Sequence, residues 1–156
     1  GDPLGFGLQG HNCGYRHRNF WRWTHAYFSR NNSSGGTSPA STFEALVYEM
    51  PFGLVFRKAV LWHDGREHVF RKLREKSTGR EELQWNFSCD SENGIRLEAA
   101  IDGRGPSIQR LPYMKTDCSG TFEVINNSLA SASIVIESDG ASEKLQTSEA
   151  VLEIVG

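Results

Sequence analysis

Leu83-Gln84-Trp85-Asn86-Phe87-Ser88-Cys89 and Ile95-Arg96-Leu97-Glu98-Ala99-Ala100-Ile101 carry the clearest fold signal in the chain. In the first, Leu83, Trp85, Phe87 and Cys89 alternate with Glu82, Gln84, Asn86 and Ser88. In the second, Ile95, Leu97, Ala99 and Ile101 alternate with Arg96, Glu98, Ala100 and Asp102. A period of two places one set of side chains in a core and the other in water, which is a half-buried strand. Asp90-Ser91-Glu92-Asn93-Gly94 between them reads as a hairpin loop, and Asp102-Gly103-Arg104-Gly105-Pro106 as the turn that follows.

The pattern extends in both directions. Phe43, Ala45 and Val47 alternate with Glu44, Leu46 and Tyr48 until Pro51 and Gly53 break the run. Leu54 to His63 is apolar on both faces, as in a strand covered on both sides. His63-Asp64-Gly65-Arg66 contains an Asp-Gly pair, a hairpin signal, with Glu67 to Leu73 returning. Lys72 to Arg80 reads as a polar turn. Downstream, strands are expected over Ile108 to Lys115, Thr121 to Ile125, Ser131 to Glu137 and Glu149 to Val155. About ten short strands without a helix give the spacing of an antiparallel barrel or sandwich.

Upstream, Gly14 to Phe28 packs six aromatic rings, two histidines and three arginines into fifteen residues. From Phe20 it alternates, so Trp21, Trp23, His25 and Tyr27 share one face. Rings with polar tips suit a pocket for an apolar ligand, although such a stripe also serves as plain core. Residues 1–13 form a Gly-rich lead-in, and 31–41 a flexible loop by composition.

The 156 residues form one domain, 1–156, with enough chain to bury about two-thirds of its unfolded surface. No apolar run approaches the roughly 20 residues of a membrane span. The net charge of −2 and the lack of a broad basic patch speak against a nucleic-acid partner. The chain is basic early (Arg16, Arg18, Arg22, Arg30) and acidic late (Glu137, Asp139, Glu143, Glu149, Glu153), which suggests that the two ends are neighbours. Cys13, Cys89 and Cys118 make neither a disulfide framework nor a zinc knuckle, and they fit a reducing, cytoplasmic compartment. Cys89 falls on an apolar strand face and is expected to be buried.

Gly14-Tyr15-Arg16-His17-Arg18-Asn19-Phe20, followed by Trp21 and Trp23, resembles a signature of lipocalin-like proteins of the hydroxyneurosporene synthase and tocopherol cyclase-like type. In those families a Gly-Tyr-His-Asp-His-Asn-Trp-Gly run precedes a Trp-rich strand. Gly14, Tyr15 and Asn19 match, whereas Arg16, His17, Arg18 and Phe20 stand where the family has His, Asp, His and Trp. Gly120-Thr121-Phe122-Glu123-Val124, with Asn127-Ser128-Leu129-Ala130, is similar to the closing strands of such a barrel. The resemblance implies an antiparallel lipocalin-like (calycin) barrel of about eight to ten strands that binds an isoprenoid- or lipid-like molecule.

On this reading Trp21, Trp23 and Tyr27 hold the apolar body of a ligand, and Arg16, Arg18 or Arg22 meets a polar head through its planar fork. An enzyme alternative makes His25 the proton carrier of a cofactor-independent cyclase or hydratase. A third possibility is a non-catalytic β-sandwich that binds a protein or a carbohydrate through exposed rings. No metal and no cofactor is expected, because His11, His17 and His25, six and eight residues apart, match no ligand spacing. The leading expectation is binding of a hydrophobic or amphipathic small molecule in a barrel pocket.

Overall fold

The computed structural model describes residues 22–31, 39–79, 81–91, 93–114 and 120–155. Nine strands occupy them: β1 (Arg22–Asn31), β2 (Pro39–Glu49), β3 (Val55–His63), β4 (Arg66–Gly79), β5 (Gln84–Ser91), β6 (Arg96–Asp102), β7 (Gln109–Met114), β8 (Thr121–Ser138) and β9 (Ala141–Val155). A 3-10 turn, Pro51–Gly53, joins β2 to β3. No helix of the described residues is long and apolar enough to cross a membrane.

All pairings are antiparallel, in the order β6-β5-β4-β3-β2-β1-β9-β8-β7, with β6 also pairing β8. That extra pairing closes eight strands into a barrel and leaves β7 outside it. β6 and β7 lie in succession along one edge of β8: Asp102 stands opposite Ser131, and Gln109 opposite Asn126. Apart from β7, each strand therefore pairs with its chain neighbours, as in a lipocalin-like up-and-down barrel. The other closure is β1 on β9, with His25 opposite Glu153; Arg16 and Arg18 of the basic start lie outside the described residues.

The lumen is filled. Phe43 on β2 and Phe87 on β5 are separated in the sheet by β3 and β4, yet their ring centroids lie 6.1 Å apart. Their contact crosses the barrel. Trp85 lies 4.4 Å from Phe87, and Phe28 lies 5.6 Å from Phe43. A row of fully buried alanines, Ala26, Ala45 and Ala59, runs across three neighbouring strands and gives those rings room. An eight-stranded barrel is just wide enough to be packed solid in this way.

Several sequence expectations change. Lys72 to Arg80 is the second half of strand β4 up to Gly79, not a turn. The runs 121–125 and 131–137 are one strand, β8, bent by a register shift between Asn127 and Ala130. β9 begins at Ala141, earlier than expected. β3 is exposed over Val55–Lys58, so it is not covered on both sides. The loop expected over 31–41 is shorter, since β1 runs to Asn31 and β2 starts at Pro39. The Asp-Gly hairpin holds: Asp64 and Gly65 have φ of 47° and 73°, the left-handed pair that such a turn requires. Cys89 is buried and free, and burial pushes its thiol pKa up to about 12, which keeps it unreactive.

Candidate functional site at the histidine end of the barrel

The register decides which side chains of β1 point inward. Thr24, Ala26 and Phe28 are buried opposite Val47, Ala45 and Phe43, while His25 and Tyr27 are half-buried on the other face. The expected pocket wall is thereby corrected: His25 and Tyr27 lie on the outer surface. The polar-tipped rings were expected to line a pocket, but Phe43 and Phe87 meet across the lumen and leave the inward positions of this strand to Thr24, Ala26 and Phe28.

His25 donates from Nε2 to Glu44 Oε1 at 3.2 Å, and its ring lies 5.5 Å from Tyr27. That hydrogen bond, reinforced by the charges of His25 and Lys58, holds the Glu44 carboxyl below its ordinary pKa despite partial burial. An outer-face imidazole–carboxylate pair has no enclosure to keep water from a reacting ligand. Trp23 stands opposite Tyr48 and Val155 in the register, and Arg22 opposite Glu49. Arg16, Arg18 and Trp21 lie outside the described residues.

A different set of groups comes together at the barrel end that carries the β3–β4, β5–β6 and β8–β9 hairpins. Ser41 is the inward-facing residue before Phe43, and His63 is the one after Leu61. Their side chains meet, with Ser41 Oγ 2.8 Å from His63 Nδ1. Ser41 is 1% exposed. His63 Nε2 lies 3.0 Å from Glu143 Oε2 on β9, eighty residues away in the chain, and 3.6 Å from Asp64 Oδ2. The first half of β9 pairs with β8 but has no β1 partner among the described residues, and this half carries Glu143 to His63.

His68 completes the set. It stands opposite the buried Leu61, so it faces the lumen at the same end. Its Nδ1 is buried with no hydrogen-bond partner. Burial, and after it the charges of His63 and Arg66, hold its pKa below the usual histidine value, so the ring is neutral at pH 7. A buried polar atom without a partner is costly and calls for a reason.

The arrangement Ser41–His63–Glu143 has the members of a hydrolase triad, yet it cannot act as one as it stands. Nucleophilic attack needs an accessible hydroxyl, and Ser41 is shielded. With Nε2–H donated to Glu143, Nδ1 accepts from the Ser41 hydroxyl, and the two contacts hold the ring in place.

Sequence reasoning missed all of these residues. Ser41 sat in the expected loop, and no local spacing links residue 63 to residue 143. One signal was present: the alternation of Phe43, Ala45 and Val47 extended back to Ser41 predicts an inward hydroxyl.

Comparison with protein-family models, with curated proteins and with solved structures finds no match.

Proposed function

We propose that this chain is a binding protein that takes an amphipathic small molecule at the histidine end of its barrel, with the polar head on His68. The observation that carries the reading is the unpartnered, buried Nδ1 of His68 beside a fixed Ser41–His63–Glu143 relay. His68 is only half-buried, so a turn of its ring presents that nitrogen to a hydroxyl or carboxyl head, and the partly buried Ile95 lies at the same end. The rings packed across the lumen keep the ligand at the rim and out of the barrel axis. The resemblance to hydroxyneurosporene synthase and tocopherol cyclase-like proteins supports an isoprenoid or lipid as the ligand class. The reading assigns no catalysis to His25.

Calorimetric titration with an isoprenoid alcohol and with a medium-chain fatty acid tests it. Saturable binding that weakens about tenfold in His68→Leu is expected, the size of one lost hydrogen bond. Binding that is absent, or that is indifferent to His68→Leu, contradicts it.

A second reading has its own observation. Phe52 is 99% exposed at the β2–β3 tip, and Phe56, Trp62 and Tyr113 are also exposed. Such rings suit a protein or carbohydrate partner. Trp62→Ala abolishes binding under that reading and leaves small-molecule binding intact under the first.

A further inference from the structure

The histidine end holds a second arrangement that a small organic ligand leaves unused. His63, Asp64 and Glu143 each offer one donor atom, and the three atoms lie within 4.8 Å of one another. The separations from His63 Nε2 are 3.0 Å to Glu143 Oε2 and 3.6 Å to Asp64 Oδ2. An ion that holds nitrogen and oxygen donors at about 2.1 Å sets them about 3.0 Å apart in an octahedron and about 3.4 Å apart in a tetrahedron. One observed separation lies on the octahedral edge and the other lies just beyond the tetrahedral one. The two His63 edges thus need only a few tenths of an ångström, and the exposed Asp64 and Glu143 carboxylates, within 4.8 Å of each other, swing together to close the set.

The support for the imidazole is already in place. A metal-bound imidazole needs its other nitrogen held, so that the ring keeps its orientation and tautomer. His63 Nδ1 lies 2.8 Å from the buried Ser41 Oγ, a hydroxyl that donates to Nδ1 in the free ring and accepts Nδ1–H once Nε2 gives its lone pair to an ion. The His63 side chain is only 13% exposed, whereas the Glu143 and Asp64 side chains are 54% and 80% exposed. The nitrogen donor is fixed and largely desolvated, and the oxygen donors open to solvent, which leaves an entry path and positions for water. Two carboxylates and a neutral imidazole carry two negative charges, which match a divalent cation.

We infer that His63, Asp64 and Glu143 form a binding site for a divalent first-row transition ion, with Zn²⁺ the best fit. The imidazole donor sets the class, because Mg²⁺ and Ca²⁺ take oxygen ligands. Ser41 is a positioning residue. The site shares the barrel end with the proposed small-molecule site but does not rest on it.

The alternative is a plain hydrogen bond from His63 to Glu143, and Glu143→Gln separates the two. The amide keeps an acceptor for Nε2–H but removes the charge and the good ligand. Glu143 is exposed, so this variant folds. Calorimetric titration of the full chain with ZnCl₂ at neutral pH is expected to show one ion bound through this site. Glu143→Gln and His63→Ala each weaken it more than tenfold, and Ser41→Ala weakens it about tenfold, because the imidazole loses the hydroxyl that holds its other nitrogen. Zn²⁺ also raises the melting temperature of the native chain and not that of Glu143→Gln. No saturable Zn²⁺ binding, or binding unchanged in Glu143→Gln and Asp64→Asn, overturns the inference. His68→Leu keeps the Zn²⁺ response while losing the organic ligand, so failure of one reading is distinguishable from failure of the other.

Discussion

The two ends of the barrel differ in what their polar groups are left to do. At the far end, Trp85 donates its indole N–H to Glu75 at 3.1 Å, and Glu75 also pairs with Arg57 at 3.9 Å. Beside them Asn127 donates to the Gly103 carbonyl at 2.6 Å and accepts from the Leu129 N–H at 2.8 Å, so this buried amide is tied into the bend of β8. These groups answer one another. At the histidine end, Ser41, His63 and Glu143 form a similar chain, but the His68 Nδ1 beside it is buried and unanswered. The tryptophan end is a plug that holds the fold; the histidine end leaves one buried polar atom unsatisfied.

The comparison can be broken first at the plug. Trp85→Ala removes a fully buried ring and leaves Glu75 without its indole donor, and it should cost about 3–5 kcal/mol in denaturant unfolding. Gly103→Ala is next. A Cβ there would stand 2.7 Å from the Leu83 side chain, in a junction where Gly103 N–H already bonds to Leu83 carbonyl at 2.8 Å. We expect a loss of about 1–3 kcal/mol. Ser41→Ala at the opposite end should cost only about 1 kcal/mol, the net worth of one hydrogen bond. A larger loss there would make the histidine end as structural as the plug.

The pH dependence sharpens the contrast. The folded-state pKa of His68 lies below its ordinary value of 6.5, so the unfolded chain takes up a proton that the folded chain refuses. Stability is therefore full above about pH 6.5 and falls as the pH drops below it. His68→Leu should remove this slope in pH-dependent unfolding. At the plug, Asp102 is held down to about 2, first by its hydrogen bond from Arg104. Its contribution is present above its ordinary value of 3.8 and is lost only as the pH falls from there toward 2. The histidine end should thus respond to mild acid and the plug to strong acid.

The smallest effect belongs to Phe52, which has φ of 66° and packs on nothing, being 99% exposed. Phe52→Gly relieves that backbone strain and should raise stability by less than about 1 kcal/mol.

The barrel was largely legible in the sequence, for a physical reason. Strand alternation is local, so Trp85, Phe87 and Leu97 announced their burial, and Asp64-Gly65 announced its turn. Closure and site were not local. The pairing of β1 with β9 and the meeting of His63 with Glu143 join residues far apart in the chain. The inward face of β1 was misread because flat rings with polar tips were taken to line a pocket. In a narrow barrel the inward face must be small wherever rings from other strands already fill the lumen, and Ala26 beside Ala45 is what that demands.

The most direct test of the account follows the imidazole NMR resonances of His63 and His68, together with the Trp85 indole, while an isoprenoid alcohol is added. The His68 signals are expected to shift saturably and those of His63 to follow, while the Trp85 indole, packed against Phe87 deep in the lumen, stays unmoved. A shift of Trp85 with both histidines unaffected would contradict it, because the ligand would then lie among the packed rings and the histidine end would be no site.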